Sequence, residues 1–267
     1  MTAAVIAPRP ARWADVIVDL EPQAVCAGPG QPHRGVDVGA GSLFANPFAP
    51  DSGADDAARV GALLRYAVWL AGHRGLLESA RQLRGRDLVC PCPVTDSGCH
   101  RRVLLDICNP PPGTGGGDAM GLTVRRPWAS LLLVPEQFGG KTVDNRAWGT
   151  DYRGPVMIYG GTRVDEAGLH AAHAAQLDAD WHAAQQGWLG GAVLTDVHLA
   201  RGNCCQPWGR PGRRDRPNYH WVFAHPHRVA RRPWAQRGFE GLRPTSWSVL
   251  LHSDAHRIVH SAERRPQ

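Results

Sequence analysis

The chain has 267 residues, 43% of them hydrophobic and 20% charged, with a formal net charge of +6. That length fits one large or two ordinary domains with real cores, and no apolar run approaches a membrane span, which excludes an integral helical membrane protein. The charge is uneven: residues 1–118 hold 11 Arg against 12 Asp and Glu, and residues 119–267 hold 18 Arg and Lys141 against 12 Asp and Glu, giving −1 and +7.

The chain opens Met1-Thr2-Ala3-Ala4-Val5-Ile6-Ala7-Pro8. It lacks the basic start and long apolar stretch of a signal peptide. Seven cysteines are an odd count, so reduced thiols and a cytoplasmic location are expected. Residues 55–70 predict a helix, because Val60, Leu63, Leu64, Ala67 and Leu70 recur at helical spacing. Ser52 or Asp51 could cap it. Residues 88–90 predict a short strand, and Val103, Leu104, Ile107 and Cys108 mark one face of a helix starting near Cys99. Strand, loop and helix argue for a small α/β domain over residues 1–109.

A Pro/Gly run over residues 110–118, preceded by Asn109, denies both helix and strand and reads as a linker. In residues 119–267, strands are expected over 121–124, 142–148, 154–159, 191–198, 219–224 and 247–251. A short helix is expected after Pro127, and an alanine-rich helix over 165–186. Several short strands with few helices suggest a small, partly open barrel, making the whole an α+β chain of two domains. Eight of the ten tryptophans lie in this basic part, at 128, 148, 181, 188, 208, 221, 234 and 247. Cations interleaved with aromatic rings are what single-stranded nucleic-acid binders use; most of these rings should nevertheless be core.

Lys141 is the only lysine among 30 basic residues. Arginine cannot copy a lysine that acts as a compact, deprotonatable charge. Lys141, Asp144 and Arg146 follow a glycine pair. On a regular strand Lys141 and Asp144 would face opposite sides, so the glycines predict a turn or bulge that unites them. Asp144 and Arg146 alternate and share a face. A carboxylate beside two cations stays ionised and holds them in place. Such a cluster either presents charge to a nucleotide or rigidifies the fold.

Leu122-Thr123-Val124-Arg125-Arg126-Pro127-Trp128-Ala129 resembles the opening S-V-R-Q-P-W-A of ASCH domains, and Gly140-Lys141-Thr142-Val143-Asp144-Asn145-Arg146 is similar to their G-x-K-x-x-E-x-R signature. Tyr152-Arg153-Gly154-Pro155-Val156-Met157-Ile158 resembles the strand that follows, and later segments continue in order to about residue 247. Arg126 stands where the family usually has glutamine, and Asp144 where it has glutamate. The resemblance implies a PUA-like β-barrel and a cleft that binds RNA or a modified nucleoside or nucleotide. The residues implied to line it are Arg125, Trp128, Lys141, Thr142, Asp144, Arg146 and Arg153. Some ASCH relatives are amidohydrolases acting on acylated pyrimidine nucleosides, through a lysine and a threonine three residues later. Here that position holds Asp144, although Thr142 adjoins Lys141. Others are reported to cleave RNA. If the chain is an enzyme, Lys141 and Asp144 are the candidate catalytic groups.

Cys90-Pro91-Cys92 ends the first expected strand, and Cys99-His100-Arg101-Arg102 opens the next helix. With Asn46-Pro47-Phe48 and Trp69-Leu70, this resembles a bacterial and phage domain of unknown function, numbered 4326, over about residues 30–110. Cys90, Cys92, Cys99 and His100 form a sensible zinc ligand set, with spacing unlike closed sites. His100, Arg101 and Arg102 at a helix start could instead hold an anion, and a thiolate at Cys99 would be favoured there. A buried cysteine cluster is the plain alternative. Cys26 and Cys108 are expected to pack. The adjacent pair Cys204-Cys205 carries no reading. The expected function is thus nucleotide or RNA binding, with a hydrolase or an interaction scaffold as rivals.

Overall fold

The computed structural model describes residues 24–26, 35–108, 119–212, 216–229 and 238–251. The chain start, the side chain of Cys26, the linker at 110–118 and Trp234 lie outside them. Two sheets and several helices make up the molecule. Strands β1 (Ala24–Cys26), β2 (Val36–Asp37) and β3 (Leu88–Cys90) form a parallel sheet in the order β1-β3-β2. Helices α1 (Asp56–Gly72), α2 (Arg74–Arg81) and α3 (Arg101–Cys108) complete the N-terminal part.

The expected apolar stripe of α1 is buried at Val60, Leu63, Leu64, Ala67 and Leu70. Its cap is Asp55, whose side chain accepts from the Ala58 amide at 2.7 Å, and not Ser52 or Asp51. Asp55 sits three residues before that amide, within reach of an orphan donor of the first turn, while the Asp51 carbonyl closes a separate turn with Ala54.

The second sheet holds six strands: β4 (Ala119–Arg126), β5 (Val143–Arg146), β6 (Gly154–Val164), β7 (Gly187–Leu199), β8 (Tyr219–Arg228) and β9 (Leu242–Thr245). Their order is β5-β8-β7-β6-β4-β9. Only the β4–β6 pair is parallel. The sheet is open, with β5 and β9 at its edges. Helix α4 (Trp128–Leu131) follows β4. The expected helix over 165–186 is two helices, α5 (Glu166–Ala174) and α6 (Ala179–Ala184). Gln176 between them takes a φ of 57°, which ends α5, and the Asp178 carboxylate accepts from the Trp181 amide at 2.9 Å to start α6.

Residues 247–251 were expected as a strand. Trp247–Leu250 is instead a 3-10 turn. Ser246 caps it by accepting from the Ser248 amide at 3.0 Å, and Asp106 of α3 accepts from the Ser246 hydroxyl at 2.6 Å and from the Trp247 amide. These side-chain acceptors offer the backbone a turn in place of a ladder.

The large sheet buries both faces. Along β6, Val156 and Ile158 join one apolar cluster with Leu122, Leu132 and Phe223, while Met157 and Tyr159 join another. That alternation is the period of a strand. The second cluster also contains Leu63, Leu64, Tyr66, Leu104 and Trp247. The N-terminal helices therefore cover one face of the C-terminal sheet, and apolar contact is continuous between the two parts.

Candidate functional site

The turn before Lys141 is set by backbone. Gly139 takes a φ of 81° after the 3-10 helix Glu136–Phe138. A Cβ at Gly140 would collide with the Val134 carbonyl, so only glycine fits there. The Lys141 amide then donates to the Leu131 carbonyl at 2.9 Å. This turn aims Lys141 back along β5. Its Nζ donates to the Val143 carbonyl and, at 3.1 Å, to Asp144 Oδ1. Arg146 Nε donates to Asp144 Oδ2 at 2.7 Å, and its Nη2 to the Thr123 carbonyl at 3.1 Å. The glycine turn thus unites the three side chains, as expected from their spacing.

Lys141 is 4% exposed and Asp144 7%. Burial alone would raise the Asp144 pKa; Lys141 and Arg146 outweigh it and hold the carboxyl below its ordinary value. Burial pushes the Lys141 ammonium down, against the pull of Asp144.

These groups line a cavity of about 1020 Å³. Arg125 and Trp128, both expected, also line it, with Arg163, Trp208 and Arg210, which the sequence reading missed. Arg125, Arg163 and Arg210 are exposed. Trp128 and Trp208 meet edge to face, 6.3 Å between centroids, and Lys141 Nζ lies 5.3 Å from the Trp128 ring. Trp208 arrives because Asn145 on β5 grips its loop. The Asn145 amide donates to the Trp208 carbonyl at 2.9 Å, and its Oδ1 accepts from the Arg210 amide at 2.8 Å. Trp208 Nε1 donates to the Gly140 carbonyl at 2.9 Å. A tryptophan between arginines in a glycine-rich loop was the available signal.

Two expected residues are elsewhere. Thr142 does not line the cavity; its carbonyl accepts from the Phe223 amide at 2.8 Å. Arg153 also stands outside it, donating to the carbonyls of Thr150 at 3.0 Å and Tyr152 at 2.8 Å. Thr142 precedes β5 and Arg153 precedes β6, so neither belongs to the strand that carries Asp144 and Arg146. Of the tryptophans, Trp188, Trp221 and Trp247 are buried core, and Trp148 and Trp181 are exposed.

In the N-terminal part, Cys90, Cys99 and His100 offer donor atoms within 4.8 Å of one another; Cys92 stands outside that group. His100 Nε2 lies 2.6 Å from the Val38 carbonyl, leaving Nδ1 for a ligand. A hydrogen bond from Cys90 lowers the Cys99 pKa, helped by His100 and Arg101, while that same pairing raises Cys90. Arg101 turns its guanidinium to backbone carbonyls. It is 1% exposed, and its guanidinium donates to the carbonyls of Cys90 at 3.4 Å, Cys92 at 2.9 Å and Pro93 at 3.0 Å. The expected anion site at His100, Arg101 and Arg102 thus loses its central cation to the 90–93 loop, because buried carbonyls need donors. Cys108 packs in the core, its thiol donating to the Ala80 carbonyl.

Residues 27–110 match the family model described as a domain of unknown function, DUF4326. The match covers about a third of the 267 residues and contains the Cys90, Cys99 and His100 group. No curated protein matches the chain. Among the described residues no helix is long and apolar enough to cross a membrane.

Proposed function

We propose that the cavity around Lys141, Asp144 and Arg146 binds RNA or a modified nucleoside or nucleotide. One observation carries this reading: a cavity of about 1020 Å³ joins two tryptophan rings to exposed Arg125, Arg163 and Arg210. Rings offer faces to bases, arginines offer forked donors to phosphate, and the buried Asp144 fixes the inner cations. In this reading residues 119–267 are an ASCH domain with a PUA-like barrel, residues 1–109 are a small α/β domain resembling domain of unknown function 4326, residues 110–118 link the two, and the chain is cytoplasmic. The test is a titration of labelled single-stranded RNA and of nucleoside monophosphates at low salt. Binding that weakens with salt is expected; no affinity for any of them overturns the reading.

A hydrolase acting on an acylated nucleoside or on RNA is the second reading. Burial that lowers the pKa of Lys141 favours it, since a general base needs a pKa near the working pH. It predicts turnover lost in Lys141→Ala. Thr142, outside the cavity, supplies no nucleophile. Zinc at Cys90, Cys99 and His100 is the lesser proposal for the N-terminal part: three donors leave a fourth position open, and Arg101 already supplies a counter-charge to the Cys99 thiolate.

A further inference from the structure

Strands β7 and β8 place His198 directly opposite His220. The loop that joins these strands folds back over the pair and brings Cys204 and Cys205 to them. One donor atom from each of the four residues lies within 4.8 Å of the other three. From these positions we infer that His198, Cys204, Cys205 and His220 form a closed structural zinc site.

The distances fit a tetrahedron. Zinc bonds of about 2.3 Å to sulfur and about 2.0–2.1 Å to nitrogen, at tetrahedral angles, put S and N about 3.6 Å apart. Cys204 Sγ lies 3.3 Å from His220 Nδ1 and 3.7 Å from His198 Nε2, and Cys205 Sγ lies 3.5 Å from His198 Nε2.

Both imidazoles are oriented from behind. Asp196 Oδ2 lies 2.6 Å from His198 Nδ1, and the Arg210 carbonyl 2.9 Å from His220 Nε2. Acceptors there fix the outer N–H and turn the inner lone pair toward the sulfurs, as the outer shell of a metal site does. A lone pair facing a thiolate repels it unless a proton or a cation lies between. Two protons could serve two S···N pairs, but they give no reason for four donors to converge on one point.

The loop is shaped around that point. Adjacent side chains on an extended chain diverge; Cys205 takes a φ of 62°, which turns both sulfurs the same way. That conformation is uncommon for a residue other than glycine and persists where the surroundings over-determine it. The Arg201 amide donates to Cys204 Sγ at 3.4 Å. A Cβ at Gly209 would lie 2.8 Å from His220 Cε1, so the loop closes against the cluster only through glycine. Two thiolates and two neutral imidazoles leave the zinc complex neutral, and an S₂N₂ tetrahedron suits zinc. All four positions come from protein, so the ion has no open position for substrate. Its role is to hold residues 200–210 on the sheet, and with them Trp208 and Arg210 at the cavity wall.

The test uses the full-length protein. With Cys90→Ser and Cys99→Ser in place, elemental analysis should find one zinc per chain that a strong chelator removes and added zinc restores. Cobalt(II) in its place should give tetrahedral ligand-field bands and thiolate charge transfer. Cys204→Ser with Cys205→Ser should abolish this signal, and Cys90→Ser with Cys99→Ser should leave it intact. Asp196→Asn, on an exposed side chain, should keep the fold and weaken zinc binding about 10- to 100-fold in competition with a chromophoric chelator. If the double serine variant does not fold, the Asp196→Asn measurement decides. Three results overturn the site: zinc that leaves only with Cys90 and Cys99, zinc affinity unmoved by Asp196→Asn, or an intact mass showing Cys204 and Cys205 joined as a disulfide after purification under reducing conditions.

Discussion

The indole of Trp208 donates to the carbonyl of Gly140, 2.9 Å away and 68 residues earlier. That carbonyl belongs to the turn that aims Lys141, so one bond ties the cavity's aromatic wall to its inner cation. Trp208→Phe keeps a ring and removes the donor. It should raise the mobility of the 204–210 loop, seen as faster amide exchange there, and weaken RNA binding less than Trp208→Ala. Trp208→Ala or Trp128→Ala should each lower affinity by about 1–3 kcal/mol, the contribution of one stacked base, measured by fluorescence anisotropy.

Lys141 and Asp144 form a buried pair with Arg146 on the far oxygen. Removing one member leaves the others buried without their partner. Lys141→Met or Asp144→Ala should lower stability by about 3–5 kcal/mol, measured by urea unfolding. Lys141→Arg should keep the charge, strain the turn and weaken RNA binding modestly.

Acid should act through Asp144. Its folded pKa lies below the ordinary value of 3.8, so the unfolded chain takes up the proton first. The stabilising contribution is complete above the ordinary value and is lost as pH falls through the folded one. Wild type should therefore lose stability below about pH 4, and Asp144→Asn should show a flatter acid limb in the same melts.

Arg101 holds the 90–93 loop through three carbonyls. Bonds from a charged donor contribute about 1.5–3 kcal/mol each, and the stranded carbonyls add to the loss. Arg101→Met should destabilise the protein by several kcal/mol and speed amide exchange over residues 90–99.

Leu64 is fully buried in the cluster that also holds Met157 and Trp188. Leu64→Ala should cost about 2–5 kcal/mol. Exchange protection should fall together in α1 and in β6 and β7, because they share that cluster.

Much of this site was legible locally. Lys141, Asp144 and Arg146 sit within six residues, and a glycine pair announces the turn that joins them. Trp208 and Arg210 were not legible, because their place depends on Asn145 gripping a loop more than sixty residues away. The Cys204-Cys205 pair carried no reading because its histidines lie on two different strands; only the register of β7 with β8 unites them. In the fold, long apolar periods such as that of α1 were readable. The last segment was not: its alternation suits a strand, and the turn it adopts is set by Asp106 from another helix. Arg126 donates to the Ala183 carbonyl at 2.8 Å and the Thr162 carbonyl at 2.6 Å, a local bracing that no neighbour in sequence foretells.

The border of the family match at residue 110 is not a border in the core. Helices inside the matched stretch cover apolar rings of β6, β7 and the 3-10 turn at Trp247. A fragment cut at the linker would carry Tyr159, Trp188 and Trp247 into water, and large exposed apolar patches invite association. The matched stretch and the packed core therefore have different borders: either half made alone exposes apolar surface that its counterpart covers.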